Sequence, residues 1–320
     1  MEATPLVAAR PVQLRVGILS AVGNTPLVGL PRLSPPGTNL YAKLEGMNPT
    51  GSVKDRPALY MLEAAERRGE LQPGHHLLEP TSGNTGLSLA MIAAVKGYRL
   101  TVVAPENVPV EKFQLLRLYG ADVVSSPADQ GSNGAIELAR ELDLDRRDVW
   151  MLDQYRNPAG VEAHYQTTGP EILDQLPGIT AFVAGLGSGG TLMGVSRRLK
   201  EQDPSIDVIA AEPMAGERVQ GLRSMAEGFV PPIFDPERLN GRYLIDGEEA
   251  LSMTRRLLRE EGIFAGPSSG AALVAALRYA RMKPGGKIVV LLADGGWKYV
   301  STGVYDEALT REASKASILW

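Results

Sequence analysis

The chain has 320 residues, of which 44% are hydrophobic and 22% are charged, so it can bury a large core as one α/β unit or as two domains. Its formal net charge of −4, without long runs of one sign, gives no electrostatic sign of binding to nucleic acid or to an anionic membrane. The absence of cysteine excludes disulfides, thiolate metal sites and a cysteine nucleophile, and the three histidines lack the spacing of a metal site, so we expect no bound metal.

The first twenty residues do not have the pattern of a targeting segment. Arg10, Pro11 and Arg15 interrupt their apolar stretch, whereas a signal peptide needs an unbroken apolar region. No other segment reaches the roughly 18 apolar residues of a membrane span. We therefore expect a cytoplasmic protein that binds neither membranes nor nucleic acid.

Short apolar runs bounded by turn residues alternate with helical patterns along the chain. The runs cover residues 40–44, 100–104, 122–124, 181–184, 208–211 and 288–292. This alternation is typical of parallel sheets that are covered by helices. In such folds, functional residues gather where strands end and helices begin.

The first candidate site segment is 48–56, with the sequence NPTGSVKDR. Its lysine, Lys54, lies among short turn-forming residues, and Pro57 fits only the first turn of a helix, so the next helix is predicted to begin near Asp55. The basic pair and glycine at 67–69 predict its end. A lysine held in this way can act as a covalent catalyst, and the alternative is an ordinary solvated lysine.

The second candidate is the loop 81–86, with the sequence TSGNTG, ahead of a helical pattern over 87–94. Its hydroxyls, its amide and its backbone N–H groups have the composition of a loop that binds an anion. The alternative is a turn without a ligand, in which Thr81, Ser82 or Asn84 caps the helix.

The third candidate is the loop 185–191, with the sequence GLGSGGT, between a predicted strand and a predicted helix. Gly185, Gly187 and Gly190 match the dinucleotide-binding pattern, and Glu212 follows at about the expected distance. The pattern by itself supports only phosphate binding, because glycines and the start of a helix can bind any phosphate ester. A NAD-dependent oxidoreductase and a tight turn without a ligand are the alternatives.

The three loops together indicate one kind of chemistry. They supply an amine for a Schiff base, a site for a phosphate and a site for a carboxylate. Pyridoxal phosphate chemistry on an amino acid requires these three features. The oxidoreductase alternative leaves Lys54 and the loop 81–86 unexplained.

Four motifs carry a resemblance to a known family. NPTGSVKDR, EPTSGNTG, GLGSGGT and GPSSGAA occur in the family's order and approximate spacing. From Gly23 to Gly303 the chain resembles the cysteine synthases of the fold type II (β-family) pyridoxal phosphate enzymes. Within that family it is similar to the actinobacterial O-phosphoserine-dependent branch, through segments 221–231 and 294–303.

The resemblance implies the fold and the domains. The expected fold is an α/β, tryptophan synthase β-like structure with two parallel-sheet domains and the cofactor between them. A larger domain that binds the cofactor phosphate would comprise residues 1–43 and 154–320, and a smaller domain that binds the substrate carboxylate would comprise 44–153. The tail 306–320 would enter the active-site cleft, and the protein would be a homodimer.

The resemblance also implies the roles of individual residues. Lys54 would hold the cofactor as an internal aldimine and then act as base and acid at the substrate α-carbon. Asn84 would contact the 3′-oxygen of the cofactor ring and Ser268 the ring nitrogen, although Ser268 has an alternative role as a helix N-cap. The residues expected at the cofactor phosphate are Gly187, Ser188, Gly189, Gly190 and Thr191. The residues expected to bind the substrate are Thr81, Ser82, Gly83, Thr85, Gln154 and Arg223.

The implied reaction is a β-replacement that makes L-cysteine from O-phospho-L-serine through an α-aminoacrylate intermediate. The sulfur would come from sulfide or from a thiocarboxylate on a small carrier protein. A hydroxyl at the ring nitrogen makes the ring a weaker electron sink than a carboxylate would, which favours β-elimination over transamination.

Arg223 determines the expected amino-acid donor. If it points inward, its guanidinium binds a phosphate through paired hydrogen bonds, whereas an acetyl ester would leave its charge unpaired. A solvated Arg223 is the alternative. The alternative functions are an O-acetylserine sulfhydrylase, a serine or threonine dehydratase, a cystathionine β-synthase and a non-catalytic protein on the same fold.

Overall fold

The computed structural model describes residues 16–81, 83–108, 110–143 and 149–306. Within these ranges, ten strands form two separate sheets that are covered by helices. The strands are β1 (Leu27–Gly29), β2 (Asn39–Leu44), β3 (His76–Pro80), β4 (Arg99–Pro105), β5 (Asp122–Ser126), β6 (Val149–Met151), β7 (Ala181–Gly185), β8 (Asp207–Pro213), β9 (Gly241–Ile245) and β10 (Lys287–Leu292). The α-helices are α1 (Asp55–Arg68), α2 (Asn84–Lys96), α3 (Val110–Leu118), α4 (Gly131–Asp143), α5 (Pro158–Ala163), α6 (Gly169–Gln175), α7 (Gly190–Gln202), α8 (Gly247–Glu261) and α9 (Pro267–Met282).

The strand order brings distant loops to the same edge. The larger sheet has the order β1-β2-β10-β7-β8-β9, in which only the β1–β2 pair of the described strands is antiparallel. The smaller sheet has the order β5-β4-β3-β6 and is parallel. Since parallel strands end at the same edge of a sheet, the loops after β2, β10 and β7 meet.

Hydrophobic side chains cover both faces of the larger sheet. In β10, Ile288 and Val290 pack into a core that includes α9, whereas Val289 and Leu291 pack into a second core with α7. This alternation follows from the two-residue period of a strand. Each fully buried aliphatic side chain contributes about 1.5–3 kcal/mol. Burial on both faces explains why β10 reads as a continuous apolar run.

The smaller sheet is built in the same way. Leu100 and Val102 of β4 pack against the helix α2, while Val103 faces a smaller core against α4. The predicted α/β fold with parallel sheets is confirmed. Among the described helices, none has the length and apolar composition needed to cross a bilayer.

Several predicted boundaries agree with the structure. Helix α1 begins at Asp55, contains Pro57 in its first turn and is followed by Gly69, whose N–H binds the carbonyls of Ala65 and Glu66.

The sequence did not indicate β1 or β9. Strand β1 has three residues, and β9 is an edge strand whose residues are mostly only partly buried or exposed.

The two sheets use different stretches of the chain. The smaller sheet uses strands between residues 76 and 151, and the larger sheet uses strands within 27–44 and 181–292. The predicted domain limits after residues 43 and 153 remain a prediction. The predicted tail, 306–320, lies outside the described residues except for Asp306.

Candidate active site

A cleft of about 470 Å³ lies at the carboxyl ends of the strands, with walls from both sheets. It brings together residues from all three candidate loops and from the start of α9. The predicted site residues that line it are Lys54, Thr81, Gly83, Asn84, Thr85, Gln154, Gly187, Ser188, Gly189, Thr191, Arg223 and Ser268. Gly190 is buried as the first residue of α7, and Ser82 lies outside the described residues.

Lys54 immediately precedes α1 and reaches the third loop. Its amine lies 3.4 Å from the Ser188 hydroxyl. Burial lowers the pKa of Lys54 to about 8, although the charge of Asp294 acts in the opposite direction. A buried lysine therefore becomes neutral, and so nucleophilic, closer to physiological pH than a solvated one.

The loop that carries Lys54 is held by Asp55. The buried Asp55 carboxylate accepts hydrogen bonds from the Thr50 N–H (2.8 Å), the Thr50 hydroxyl and the hydroxyl of Ser88 on α2 (2.6 Å). The Val53 N–H donates to the carbonyl of Ala293, just beyond β10 (2.8 Å). These contacts fix the loop between α1, α2 and the end of β10.

A buried ionic network is centred on Arg56, two residues after Lys54. Arg56 binds both carboxylate oxygens of Glu45 (2.7 and 2.8 Å) and also Glu171 (2.6 Å), and Glu171 accepts from Lys43 (2.7 Å). Burial alone would raise the pKa of Glu45, but the Arg56 guanidinium lowers it to about 2. The network ties the segment after β2 to α1 and α6.

The third loop has the geometry of an anion site. Gly189 caps α7 with φ of 88°, a conformation that favours glycine. At Gly187, an added Cβ would lie 2.8 Å from the backbone oxygen of Gly221. The close approach of these two backbones therefore requires glycine, and the start of a helix such as α7 is suited to bind an anion.

His164 supports this loop, a role that the sequence did not indicate. Its Nε2 shares a hydrogen bond of 3.2 Å with the Thr191 hydroxyl, and its Nδ1 shares one of 2.9 Å with Thr168. Burial, reinforced by the charge of Arg56, lowers the pKa of His164 to about 3. The imidazole is therefore neutral and orients Thr191 without adding charge to the site.

The second loop joins two predicted substrate residues. The Thr85 hydroxyl donates to Gln154 Oε1 (2.9 Å), and Gln154 Nε2 donates to the buried carboxyl of Glu79 (3.3 Å). Burial, together with the charge of Asp153, raises the pKa of Glu79 to about 8. Glu79 thus stands behind Gln154 as a supporting group that the sequence did not reveal.

The predicted ring contacts lie at two helix starts. Asn84 begins α2 after the N-cap Gly83, which has no side-chain cap. Ser268 is buried at the second position of α9, and the N-cap is Gly266, so the alternative of an N-cap role for Ser268 is wrong. Both side chains belong to residues that line the cleft.

Arg223 lines the cleft and is partly buried. Its guanidinium carbon is 5.3 Å from the Tyr155 ring centroid and 5.0 Å from that of Phe229. One guanidinium nitrogen lies 3.5 Å from the Tyr155 hydroxyl. Arg223 has no acidic ion-pair partner within the described part of the chain, so its charge is available to a ligand.

Glu212 is unsuited to the role that a dinucleotide site would give it. The carboxylate is buried and accepts hydrogen bonds from the Met225 N–H (2.7 Å) and from Arg242 (3.0 Å). A carboxylate occupied in this way cannot bind the ribose of a nicotinamide cofactor. The arrangement disfavours the oxidoreductase alternative.

The groups in the cleft fit pyridoxal phosphate. The site combines a lysine amine of lowered pKa with a glycine loop at a helix start, where Ser188 and Thr191 add hydroxyls. Asn84 and Ser268 supply an amide and a hydroxyl for a heterocyclic ring.

The comparisons with known proteins agree with this arrangement. The sequence model of the family described as "Pyridoxal-phosphate dependent enzyme" matches residues 18–294. The chain is 46% identical over 291 residues to "Cysteine synthase B" of Pseudomonas aeruginosa, covering 90% of this chain and 97% of that protein.

Two solved structures extend the comparison. Cysteine synthase from Entamoeba histolytica superposes with a TM-score of 0.88 at 32% identity, covering 95% of this chain and 94% of that one. A hydrogen sulfide-producing enzyme from Fusobacterium nucleatum has a TM-score of 0.86 at 36% identity, covering 89% and 100%. The predicted cofactor is confirmed, and the chain belongs to the family of pyridoxal phosphate-dependent enzymes.

Proposed function

We propose that this pyridoxal phosphate-dependent enzyme of the cysteine synthase type makes L-cysteine from O-phospho-L-serine, as the actinobacterial branch that it resembles does. The names of its relatives support the cysteine synthase reaction. The choice of the phosphate ester rests on one observation, the guanidinium of Arg223 in the cleft wall without an acidic partner among the described residues.

The side chains around the cleft have defined tasks in this reaction. When bound, pyridoxal phosphate supplies an aldehyde that forms an imine with an amine and a ring that withdraws electrons from the substrate α-carbon. Lys54 holds the cofactor and, once released, takes the α-proton and later returns it. The loop 187–191 binds the phosphate of the cofactor, and Asn84 and Ser268 orient its ring.

The remaining cleft residues select the substrate. The loop 81–85 and Gln154 bind the carboxylate of the amino acid. Arg223 pairs with the ester phosphate, which leaves as the Cβ–O bond breaks, and the sulfur nucleophile then forms the Cβ–S bond. A guanidinium matches a phosphate with charge-assisted hydrogen bonds, whereas the neutral acetyl ester would leave Arg223 desolvated and unpaired.

The family resemblance supports further parts of the proposal. The sulfur donor is sulfide or the thiocarboxylate of a small carrier protein, and the enzyme acts as a cytoplasmic homodimer. The larger domain, 1–43 and 154–320, binds the cofactor phosphate, and the smaller domain, 44–153, binds the substrate carboxylate. The tail 306–320 shields the cleft during the reaction.

The alternatives differ in donor or product. An O-acetylserine sulfhydrylase would prefer the acetyl ester. A serine or threonine dehydratase would release a keto acid, and a cystathionine β-synthase would release cystathionine. Identification of the product by mass spectrometry separates the last two from a cysteine synthase.

The decisive experiment compares kcat/KM for O-phospho-L-serine and O-acetyl-L-serine in the wild type and in Arg223→Ala. We expect the wild type to prefer the phosphate ester, and Arg223→Ala to lose roughly 10- to 100-fold with that ester, as expected for one charge-assisted interaction. The acetyl ester should be affected little. Arg238→Ala, which removes a half-exposed arginine paired with Asp235, is the control. Equal losses with both esters would refute the donor assignment.

A further inference from the structure

A pair of buried charged residues holds the side chain of Asn84. Asn84 Nδ2 donates to Asp294 Oδ2 (2.7 Å), and Lys298 Nζ donates to Asn84 Oδ1 (2.7 Å). Asp294 is 2% exposed and Lys298 is 1% exposed. We call Asp294 and Lys298 the Asn84 clamp, and the proposed function gives neither residue a role.

The chemistry of the clamp determines which way the amide points. A lysine ammonium only donates hydrogen bonds, and a carboxylate only accepts them. Rotating the Asn84 amide by 180° would place its oxygen against Asp294 and its NH₂ against Lys298, so both contacts would become repulsive. Asp294 accepts from one N–H of the amide, and the Tyr299 hydroxyl, which also lines the cleft, interacts with the same NH₂ group, so a ligand in the cleft would take the second N–H from Tyr299.

The clamp also joins the loop of Asn84 to the loop that carries Lys54. Lys298 donates to the carbonyl of Gly51, in the loop that carries Lys54 (3.1 Å). Asp294 accepts from the Tyr299 hydroxyl as well (2.5 Å). Both clamp residues follow β10 of the larger sheet, whereas Asn84 follows β3 of the smaller sheet. The clamp therefore links the two walls of the cleft at the point where the cofactor ring is expected.

Desolvation makes these contacts strong and costly to lose. Hydrogen bonds to charged groups are shorter and stronger than neutral ones, and they gain strength in a medium of low dielectric constant. Removing either clamp residue leaves one end of the Asn84 amide without its charged partner. The amide would then have more than one orientation.

We propose that Asp294 and Lys298 are positioning residues for the cofactor: they hold the Asn84 amide so that its second N–H donates to the oxygen on the pyridoxal phosphate ring. This inference rests on the proposed role of Asn84 and is independent of the choice between the two serine esters.

The test measures cofactor binding rather than turnover. Cofactor-free protein is titrated with pyridoxal phosphate, and the dissociation constant, the absorption maximum of the bound cofactor and the melting temperature of the cofactor-free protein are recorded. We expect Lys298→Met to weaken binding about tenfold and to shift the absorption maximum. Lys298→Arg, which keeps a cationic donor, should restore both. Asp294→Asn provides a second test if Lys298→Met folds poorly.

Two controls separate positioning from local damage. Tyr305→Phe removes a nearby hydroxyl that binds Ala265 and Gly296 but does not touch the Asn84 side chain, so its affinity and spectrum should stay at wild-type values. In the Asn84→Ala background, Lys298→Met should cause little further loss, because the two residues act through one interaction.

The possible outcomes are distinct. If Asn84→Ala weakens binding and neither Lys298→Met nor Asp294→Asn does, the clamp inference is wrong and the role of Asn84 stands. If Asn84→Ala leaves the affinity and the spectrum unchanged, the role of Asn84 is wrong and the clamp inference falls with it. If the losses from Asn84→Ala and Lys298→Met add fully, Lys298 acts independently of Asn84, and the inference is overturned.

Discussion

The amine of Lys54 lies 3.4 Å from the hydroxyl of Ser188, a residue 134 positions away in the sequence. The contact exists because the loops after β2 and β7 leave the same edge of the larger sheet, with β10 between them. The residue expected to hold the cofactor therefore faces the loop expected to bind the cofactor's phosphate.

The lowered pKa of Lys54 predicts how cofactor capture depends on pH. Since only the neutral amine forms the covalent bond, the capture rate should rise with pH and level off above about 8. A solvated lysine would keep gaining rate up to its usual pKa of 10.5. Stopped-flow absorbance of cofactor-free protein mixed with pyridoxal phosphate measures this profile. Lys54→Ala is the control and should show no covalent capture, and a rate that still rises tenfold per unit above about pH 9 would contradict the prediction.

The third loop should not tolerate a side chain at Gly187. A Cβ there would lie 2.8 Å from the backbone oxygen of Gly221, which cannot move without displacing its own loop. We expect Gly187→Ala to weaken pyridoxal phosphate binding by about tenfold or more, in line with the cost of overpacking. Gly29→Ala is the control, because a Cβ at that site meets only a Tyr41 carbon, at 4.0 Å. Equal affinities in equilibrium titrations of the two variants would show that the close approach is unimportant.

The raised pKa of Glu79 predicts a pH-dependent cost to stability. The pKa of Glu79 is about 8 in the folded protein, whereas the usual value for a glutamate is 4.5. At a pH between 4.5 and 8, the folded state therefore keeps a proton that the unfolded chain has released. Stability should therefore fall as pH rises through this window. Glu79→Gln removes this dependence. The free energy of unfolding of Glu79→Gln minus that of the wild type should therefore increase by on the order of 2–4 kcal/mol when the pH is raised from about 5 to about 8.

Urea unfolding of the cofactor-free protein at the two pH values checks this expectation. Glu63→Gln serves as the control, because Glu63 is 46% exposed and lies 3.8 Å from Lys96. A stability difference between Glu79→Gln and wild type that does not change with pH would contradict the prediction.

The ionic network beside Lys54 should be sensitive to the loss of Glu171. Glu171→Ala leaves the buried Arg56 and Lys43 each without one partner, and breaking a buried pair in this way costs roughly 3–5 kcal/mol. We expect the free energy of unfolding to fall by about that amount. Glu201→Ala removes an exposed partner of Arg197 and should change it by less than about 1 kcal/mol. Similar, small effects in the two variants would mean that the network adds little to stability.

Local sequence signals were sufficient for the elements that carry the site. The start of α1 follows from Pro57, its end follows from Gly69, and the three loops are recognisable because glycine and hydroxyl residues cluster between apolar runs. Such signals depend on the backbone preferences of a few neighbouring residues, which act before any tertiary contact forms. The short edge strands β1 and β9 lack a comparable pattern because edge strands bury fewer side chains.

The sequence by itself therefore determined the fold class, the cofactor and the segments that meet at the cleft. Only the tertiary structure showed which side chains support these segments. His164 shares a hydrogen bond with Thr191, and Glu79 accepts one from Gln154. Asp294, which is 210 residues from Asn84 in the sequence, accepts a hydrogen bond from the Asn84 amide. Those contacts have no local periodicity or spacing, because they join residues that are far apart in the sequence and meet only when the chain folds, in the Asn84–Asp294 pair across the two sheets. Burial in those contacts also shifts the pKa values of His164 and Glu79.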